Sequence, residues 1–256
     1  MRLGIAGYGR MGRLFKRCLG RRFEVISYSE HGRSDVESLE ELYLKSDVVM
    51  VASSLNFTPE RLRKLAEISR KHCEKKMVFD IATFKSRVIK AYAGFSEDVR
   101  VASVHPMFGP GAKTLKGKRF IVVPVPGREG DANSIAGFIR SIGGEVTFSD
   151  WKTHDRIMGF VIGVPYFVGL GYLALSKELG LGDFGGTSWA YLETYGKAVL
   201  NDSPDFIREV LSLSREQIGA FLDFLRENPP DPEVLRKELR REEIEEAYKR
   251  FYRALE

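Results

Sequence analysis

Cysteine is nearly missing from this chain. Cys18 and Cys73 are the two among 256 residues. They cannot build a disulfide framework, and their spacing suits no zinc site. A reducing, cytoplasmic setting is therefore the default expectation. Charge of one sign is also sparse: 40 Lys+Arg stand against 35 Asp+Glu, leaving +5 at pH 7. No segment gathers that surplus into the basic stripe of a nucleic-acid binder, and it fits an anionic small molecule at least as well. There is no ligand cluster with metal spacing, no internal repeat and no low-complexity tract. Arg10, Arg13, Lys16 and Arg17 interrupt any apolar targeting segment after Met1. Hydrophobic residues at 43% and charged residues at 29% supply an ordinary core and exclude wholesale disorder.

Long uncharged runs are equally rare, and the exception is residues 157–175, where Gly159 and Gly163 form a G-x-x-x-G pair. Pro165 near the middle, further glycines and charged flanks without a second span argue against a membrane helix. The expectation is a buried or subunit-interface helix and no membrane.

What is present is alternation. Short apolar strand patterns at 3–6, 23–28, 47–52, 77–81, 99–104, 120–125 and 146–148 alternate with helical patterns at 11–19, after 58 and at 131–142. Ser34 and Glu37 suggest a capping box before a short helix at Leu39 and Leu42. Thr58-Pro59 suggests N-cap and N1 of the next. This pattern predicts an α/β fold: a doubly wound parallel sheet over residues 1–150, with helices on both faces. Strand signals stop near Ser149. Residues 151–256 then read as all helical: one helix from 153, then 188–200, 203–225 and 232–255. The segment 153–180 is apolar all round and needs cover on every side, which points to a second copy of the chain and a homodimer.

Gly7-Tyr8-Gly9-Arg10-Met11-Gly12 matches G-x-G-x-x-G between the first strand and first helix. The first glycine permits the turn, the second lets backbone approach a pyrophosphate, and the third allows close helix–strand packing. Free N–H groups at the helix start favour the anion. This predicts a Rossmann-type dinucleotide site, with Ser53 after the third strand as a further contact. At the tip of the second strand, Ser29 stands seventeen residues past Gly12, about where an NAD enzyme carries an acid. Ser29 with Arg10 and Arg33 suits a 2′-phosphate, whereas Glu30 suits a free ribose. The balance leans slightly to NADP over NAD.

His105-Pro106-Met107-Phe108-Gly109-Pro110 ends another strand, at the carboxyl edge where such sheets hold their ligands. A neutral imidazole there can take a hydroxyl proton while hydride leaves the same carbon. Thr83, in Asp80-Ile81-Ala82-Thr83-Phe84-Lys85, borders the same edge and can orient the imidazole or the carboxamide of the cofactor, or cap a helix over 86–92. His105 and the glycine turn are expected to open onto a common cavity.

Together with Thr153-His154-Asp155-Arg156-Ile157-Met158, these motifs resemble the prephenate dehydrogenase family, whose members act on prephenate or arogenate. The resemblance spans nearly the whole chain. It implies a Rossmann domain with a helical dimerisation domain, and oxidative decarboxylation of prephenate to 4-hydroxyphenylpyruvate in tyrosine biosynthesis, with hydride passing to NAD(P)+. It also implies His105 as the catalytic base, and Thr83 in place of a serine bonded to it. Lys197 stands for an arginine that holds a substrate carboxylate, and Tyr166 for a substrate-side histidine. Lysine keeps the charge but loses the bidentate fork. Arogenate is the alternative substrate. A β-hydroxyacid dehydrogenase or pyrroline-carboxylate reductase is a second reading, but residues 157–175 lack the lysine or threonine it needs. A nucleotide-sensing module without turnover is a third. His154 reads as a packing or interface histidine.

Overall fold

The computed structural model describes residues 1–30 and 32–255. They fall into two compact units, Met1–Asp155 and Arg156–Glu256. The first holds a seven-stranded sheet in the order β2-β1-β3-β4-β5-β6-β7. Its strands are β1 (Arg2–Ala6), β2 (Glu24–Tyr28), β3 (Val48–Val51), β4 (Lys76–Asp80), β5 (Val99–Pro106), β6 (Arg119–Pro124) and β7 (Glu145–Phe148). All four residues of β3 are buried, as a strand covered on both faces requires. Helices α1 (Arg10–Leu19), α2 (Leu39–Leu44) and α3 (Thr58–His72) carry the chain between the first four strands.

Several expectations are corrected here. The sheet is not parallel throughout, because β6 pairs antiparallel with β5. Residues 107–118 contain no helix, so the chain turns back beside β5 without a crossover. Parallel pairing resumes between β6 and β7, which are joined through α4 (Asp131–Ser141). The second correction concerns α2. Its N-cap is Ser38, whose hydroxyl accepts from the Glu41 N–H at 3.0 Å, while Ser34 bonds back to Ser29. Glu41 reaches back to the Glu37 N–H, so the capping arrangement sits four residues beyond the expected one. The segment after Lys85 forms a short 3₁₀ turn at Ile89–Gly94 rather than an α-helix.

Side chains from both ends of the sheet meet in one core. Phe15 of α1 lies edge-on to Phe120 of β6, with centroids 6.4 Å apart, and Phe108 is T-shaped to Phe120 at 5.2 Å. The first turn of the long loop after β5 is thereby tied to the same core as the glycine-turn helix.

The second unit begins within α5 (Trp151–Met158) and is helical. A π-helical turn at Gly159–Gly163 joins α5 to α6 (Val164–Glu178). α7 (Thr187–Val199) packs on α6 where Gly169 and Gly196 meet: a Cβ on Gly196 would stand 2.5 Å from the Gly169 carbonyl oxygen. The expected helix over 203–225 is two helices, α8 (Pro204–Leu213) and α9 (Arg215–Glu227), broken at Ser214. The break has a use. Gly159 lies against Gln217 and Gly163 against Ser214, so the G-x-x-x-G pair seats polar side chains. By length and composition Trp151–Glu178 is apolar enough to cross a membrane, and Phe160, Val161, Val168 and Leu175 are exposed along it. α10 (Pro232–Glu238) and α11 (Arg241–Arg253) end the chain.

Candidate active site

The glycine turn sits where the sheet order changes direction, since β1 has β2 on one side and β3 on the other. Ligands of open α/β sheets bind at such points. Gly7 has φ +114°, and a Cβ there would stand 2.6 Å from the Ala52 carbonyl oxygen; one on Gly12 would stand 2.3 Å from that of Gly7. The outer glycines are thus required by backbone contact. Gly9 meets nothing within 4 Å, so the middle of the turn faces open space. The N-terminus of α1 has no side-chain cap and no acid in its first turn, which leaves its N–H groups available to an anion.

A cleft of about 520 Å³ opens here, lined by Gly7, Tyr8, Gly9, Ser29, Glu30 and Ser53 among others. Arg61, from α3, reaches into it. Its guanidinium donates to the Ser53 hydroxyl at 2.7 Å and pairs with Glu30 at 3.5 Å. Of the other expected contacts, Arg10 opens α1, Met11 packs against the core and Arg33 is exposed. None of these three lines the cleft. Glu30, the acid at the β2 tip, does.

His105 is the penultimate residue of β5 and 5% exposed. It is not among the residues lining this cleft. β5 nevertheless ends on the same carboxyl edge, separated from β1 by β3 and β4. Three strand spacings make this roughly 14 Å.

The expected partner of the imidazole is also corrected. His105 Nδ1 lies 3.1 Å from Nε2 of His154. Thr83 is half-buried on the loop after β4 and has no hydrogen-bond partner among the described residues. His154, read from sequence as a packing residue, is 1% exposed, and its Nδ1 lies 2.8 Å from Asp155 Oδ1. The Asp155 carboxylate also accepts from the backbone N–H groups of Lys85 (2.7 Å) and Ser86 (2.8 Å). Burial opposes its charge, but the hydrogen bonds from His154, Lys85 and Ser86 hold its pKa below the ordinary carboxylate value.

Lys85 ends the motif that follows β4 and is fully enclosed. Its ammonium donates to the carbonyls of Ala82 (2.6 Å) and Val104 (2.8 Å), with Asp80 Oδ1 at 3.7 Å. Tyr92 completes the buried set, donating to Asp80 Oδ2 at 2.6 Å. Burial, then the nearby Lys85 ammonium and His154, push His105 well below the usual histidine pKa. Burial lowers His154 as well. Both rings are therefore neutral near pH 7. Sequence inspection missed His154, Asp155 and Lys85 as site residues. The visible signal was that two of the four histidines sit in motifs that carry the resemblance.

The remaining expected residues belong to the second unit. Tyr166 donates to Asp202 at 2.6 Å, tying α6 to the turn after α7. Lys197 is exposed on α7 and pairs with Glu193 at 2.8 Å, a carboxylate shared with Lys177. Among the described residues no cluster of His, Cys, Asp and Glu is arranged to hold a metal.

No protein-family model matches the chain. A probable arogenate/prephenate dehydrogenase of Methanocaldococcus jannaschii is 32% identical over 138 residues, covering 53% of this chain and 30% of that protein. The chain spans less than half the length of the curated relatives it matches. Prephenate dehydrogenase from Aquifex aeolicus, solved with hydroxyphenyl propionate and NAD+, superposes with a TM-score of 0.69 at 18% identity, over 100% of this chain and 97% of that one. Synechocystis arogenate dehydrogenase gives 0.65 at 16% identity, over 97% and 100%. The sequence resemblance and the architecture agree: this chain has the fold of the prephenate and arogenate dehydrogenases.

Proposed function

We propose that the chain is a nicotinamide-dependent dehydrogenase of the prephenate/arogenate family, oxidatively decarboxylating prephenate or arogenate. The observation that carries this reading is a buried, neutral His105 at the carboxyl edge of the sheet that bears the glycine turn. Either substrate has a non-aromatic ring with a hydroxyl-bearing carbon opposite a quaternary carbon that bears a carboxylate. A bound nicotinamide supplies the hydride acceptor, and the Gly7–Gly12 backbone with the α1 N-terminus would hold its pyrophosphate. His105 accepts the hydroxyl proton as the carbonyl forms. The carbonyl then takes up the electron pair of the C–C bond to the departing CO2, the ring becomes aromatic, and the new phenol oxygen recovers a proton. No other covalent role is asked of the protein, which must orient the substrate and place the base. Lys197 is assigned to a substrate carboxylate, Tyr166 to the substrate side, and Thr83 to the cofactor carboxamide.

The cofactor reading is NAD, against the slight lean of the β2 tip toward NADP. Glu30 lines the cleft beside Gly7 and Gly9, where a carboxylate suits ribose hydroxyls and repels a 2′-phosphate, and Arg61 is already engaged by Glu30 and Ser53. The exposed apolar side chains of Trp151–Glu178 support a homodimer through the helical unit, and a cytoplasmic enzyme accords with this reading.

The test is an initial-rate assay of the purified chain with prephenate or arogenate and NAD+ or NADP+, following reduced-nicotinamide absorbance. Turnover of either substrate, faster with NAD+, is expected. Absence of turnover with both substrates and both cofactors overturns the reading.

A further inference from the structure

We infer that His154 and Asp155 form a positioning relay that fixes the tautomer of His105, leaving its Nε2 as the proton-accepting atom. The inference rests on the proposed dehydrogenase chemistry for its purpose, but on donor counting for its geometry. Asp155 receives backbone N–H groups on both oxygens and is ionised, so it can only accept from His154. His154 must therefore carry its proton on Nδ1. A neutral ring protonated there presents a lone pair at Nε2, the atom 3.1 Å from His105 Nδ1. His105 must then donate from Nδ1, and its lone pair is left on Nε2. Each assignment forces the next, and the starting point is the backbone of Lys85 and Ser86.

The surrounding charges agree with this order. Facing the pair are the Lys85 ammonium, the Asp80 carboxylate beside it, Tyr92 bonded to Asp80, and Asp155. Lys85 disfavours a second proton on either ring in the resting state. When His105 Nε2 takes the substrate hydroxyl proton, the imidazolium formed is stabilised by the His154 acceptor, itself polarised by Asp155. The proton leaves oxygen, bonds to Nε2, and no other bond in the relay changes. The separation of 49 residues between the two histidines is bridged because β5 and the start of α5 meet inside the first unit.

Two measurements test the relay. The first needs no turnover: ¹⁵N–¹H correlation of the imidazoles, tractable with four histidines in the chain. His105 is expected as the Nδ1–H tautomer in the unaltered chain at pH 7. The Nε2–H tautomer would overturn the inference even if the enzyme is active. The second compares His154→Phe, His154→Gln and Asp155→Asn in pH–rate profiles. His154→Phe should lower kcat by about 10²-fold, within the usual range for positioned acid–base groups, with NAD+ affinity unchanged. His154→Gln, whose amide oxygen can accept from His105 Nδ1, should recover part of that loss. Asp155→Asn should lower kcat and displace the acid limb. If all three variants keep the kcat and pH profile of the parent, the relay is wrong although the dehydrogenase reading stands. If nothing is turned over, the dehydrogenase reading falls and the tautomer measurement still decides the relay.

Discussion

At His105 the chemistry and the energetics pull in opposite directions. The ring is enclosed beside a buried ammonium, and that surrounding keeps it unprotonated. Under the proposed dehydrogenase function, His105→Ala should lower kcat by roughly 10²–10⁴-fold, the span of general acid–base contributions, while NAD+ binding measured by fluorescence stays as in the parent. The pH dependence has a definite sign. In the unfolded chain the residue takes up a proton near ~6.5, whereas in the folded chain it does so only at a lower pH. Its contribution to stability is therefore complete above ~6.5 and declines as pH falls toward the folded value. Denaturant midpoints between pH 7.5 and 5 should fall in the parent and fall less in His105→Ala. The acid limb of kcat/KM should likewise lie below the ordinary histidine range. Little of this was legible from the residues alone. His105 stood out through its motif, but its partner did not, because nothing in sequence spacing says that position 154 returns to position 105. Thr83 was named on the strength of a hydroxyl at a strand end, and the structure puts another imidazole in the place reserved for it.

The β1–α1 turn shows the reverse situation, in which local sequence was sufficient. G-x-G-x-x-G directly after an apolar strand identified both the turn and its helix, because Gly7 takes φ +114° and Gly12 packs on the Gly7 carbonyl within the same turn. The three glycines should nevertheless respond differently. Gly7→Ala and Gly12→Ala place a methyl against a carbonyl oxygen and should lower the thermal midpoint by several degrees. Gly9→Ala should leave that midpoint nearly unchanged and, under the proposed function, weaken NAD+ binding, because its Cβ enters the open space beside the turn. Thermal scans with and without NAD+ separate the two outcomes. Pairing direction was illegible for the opposite reason. β6 has the composition of any buried strand, and its reversal follows from residues 107–118 forming no crossover helix. The true α2 cap at Ser38 was likewise hidden, because Ser34 and Glu37 present the same spacing to the eye as Ser38 and Glu41.

Across the full chain, two kinds of stability are at work. The first unit relies on an interior packed on both sides of its sheet, where Phe120 is wholly buried among Phe15, Phe108 and Ile139 neighbours. Phe120→Ala should cost about 3–5 kcal/mol in chemical denaturation. The second unit leaves Phe160, Val161, Val168 and Leu175 uncovered. Under the homodimer proposal, sedimentation of the parent should give twice the 29.0 kDa chain mass, and Val161→Glu should shift it toward the single-chain value. The helical character of this half was readable from its periodicity, whereas the break at Ser214 was not, because serine interrupts an apolar pattern no more than any polar residue does. The π turn at Gly159–Gly163 carries one last consequence. A loop of this width accommodates an extra residue, and each residue advances a helix by about 100°. Losing one amino acid there would rewind the segment to regular pitch and swing every side chain from Val164 onward a quarter-turn round the axis. Deletion scanning should thus find this short stretch far less forgiving of a missing codon than of an altered one.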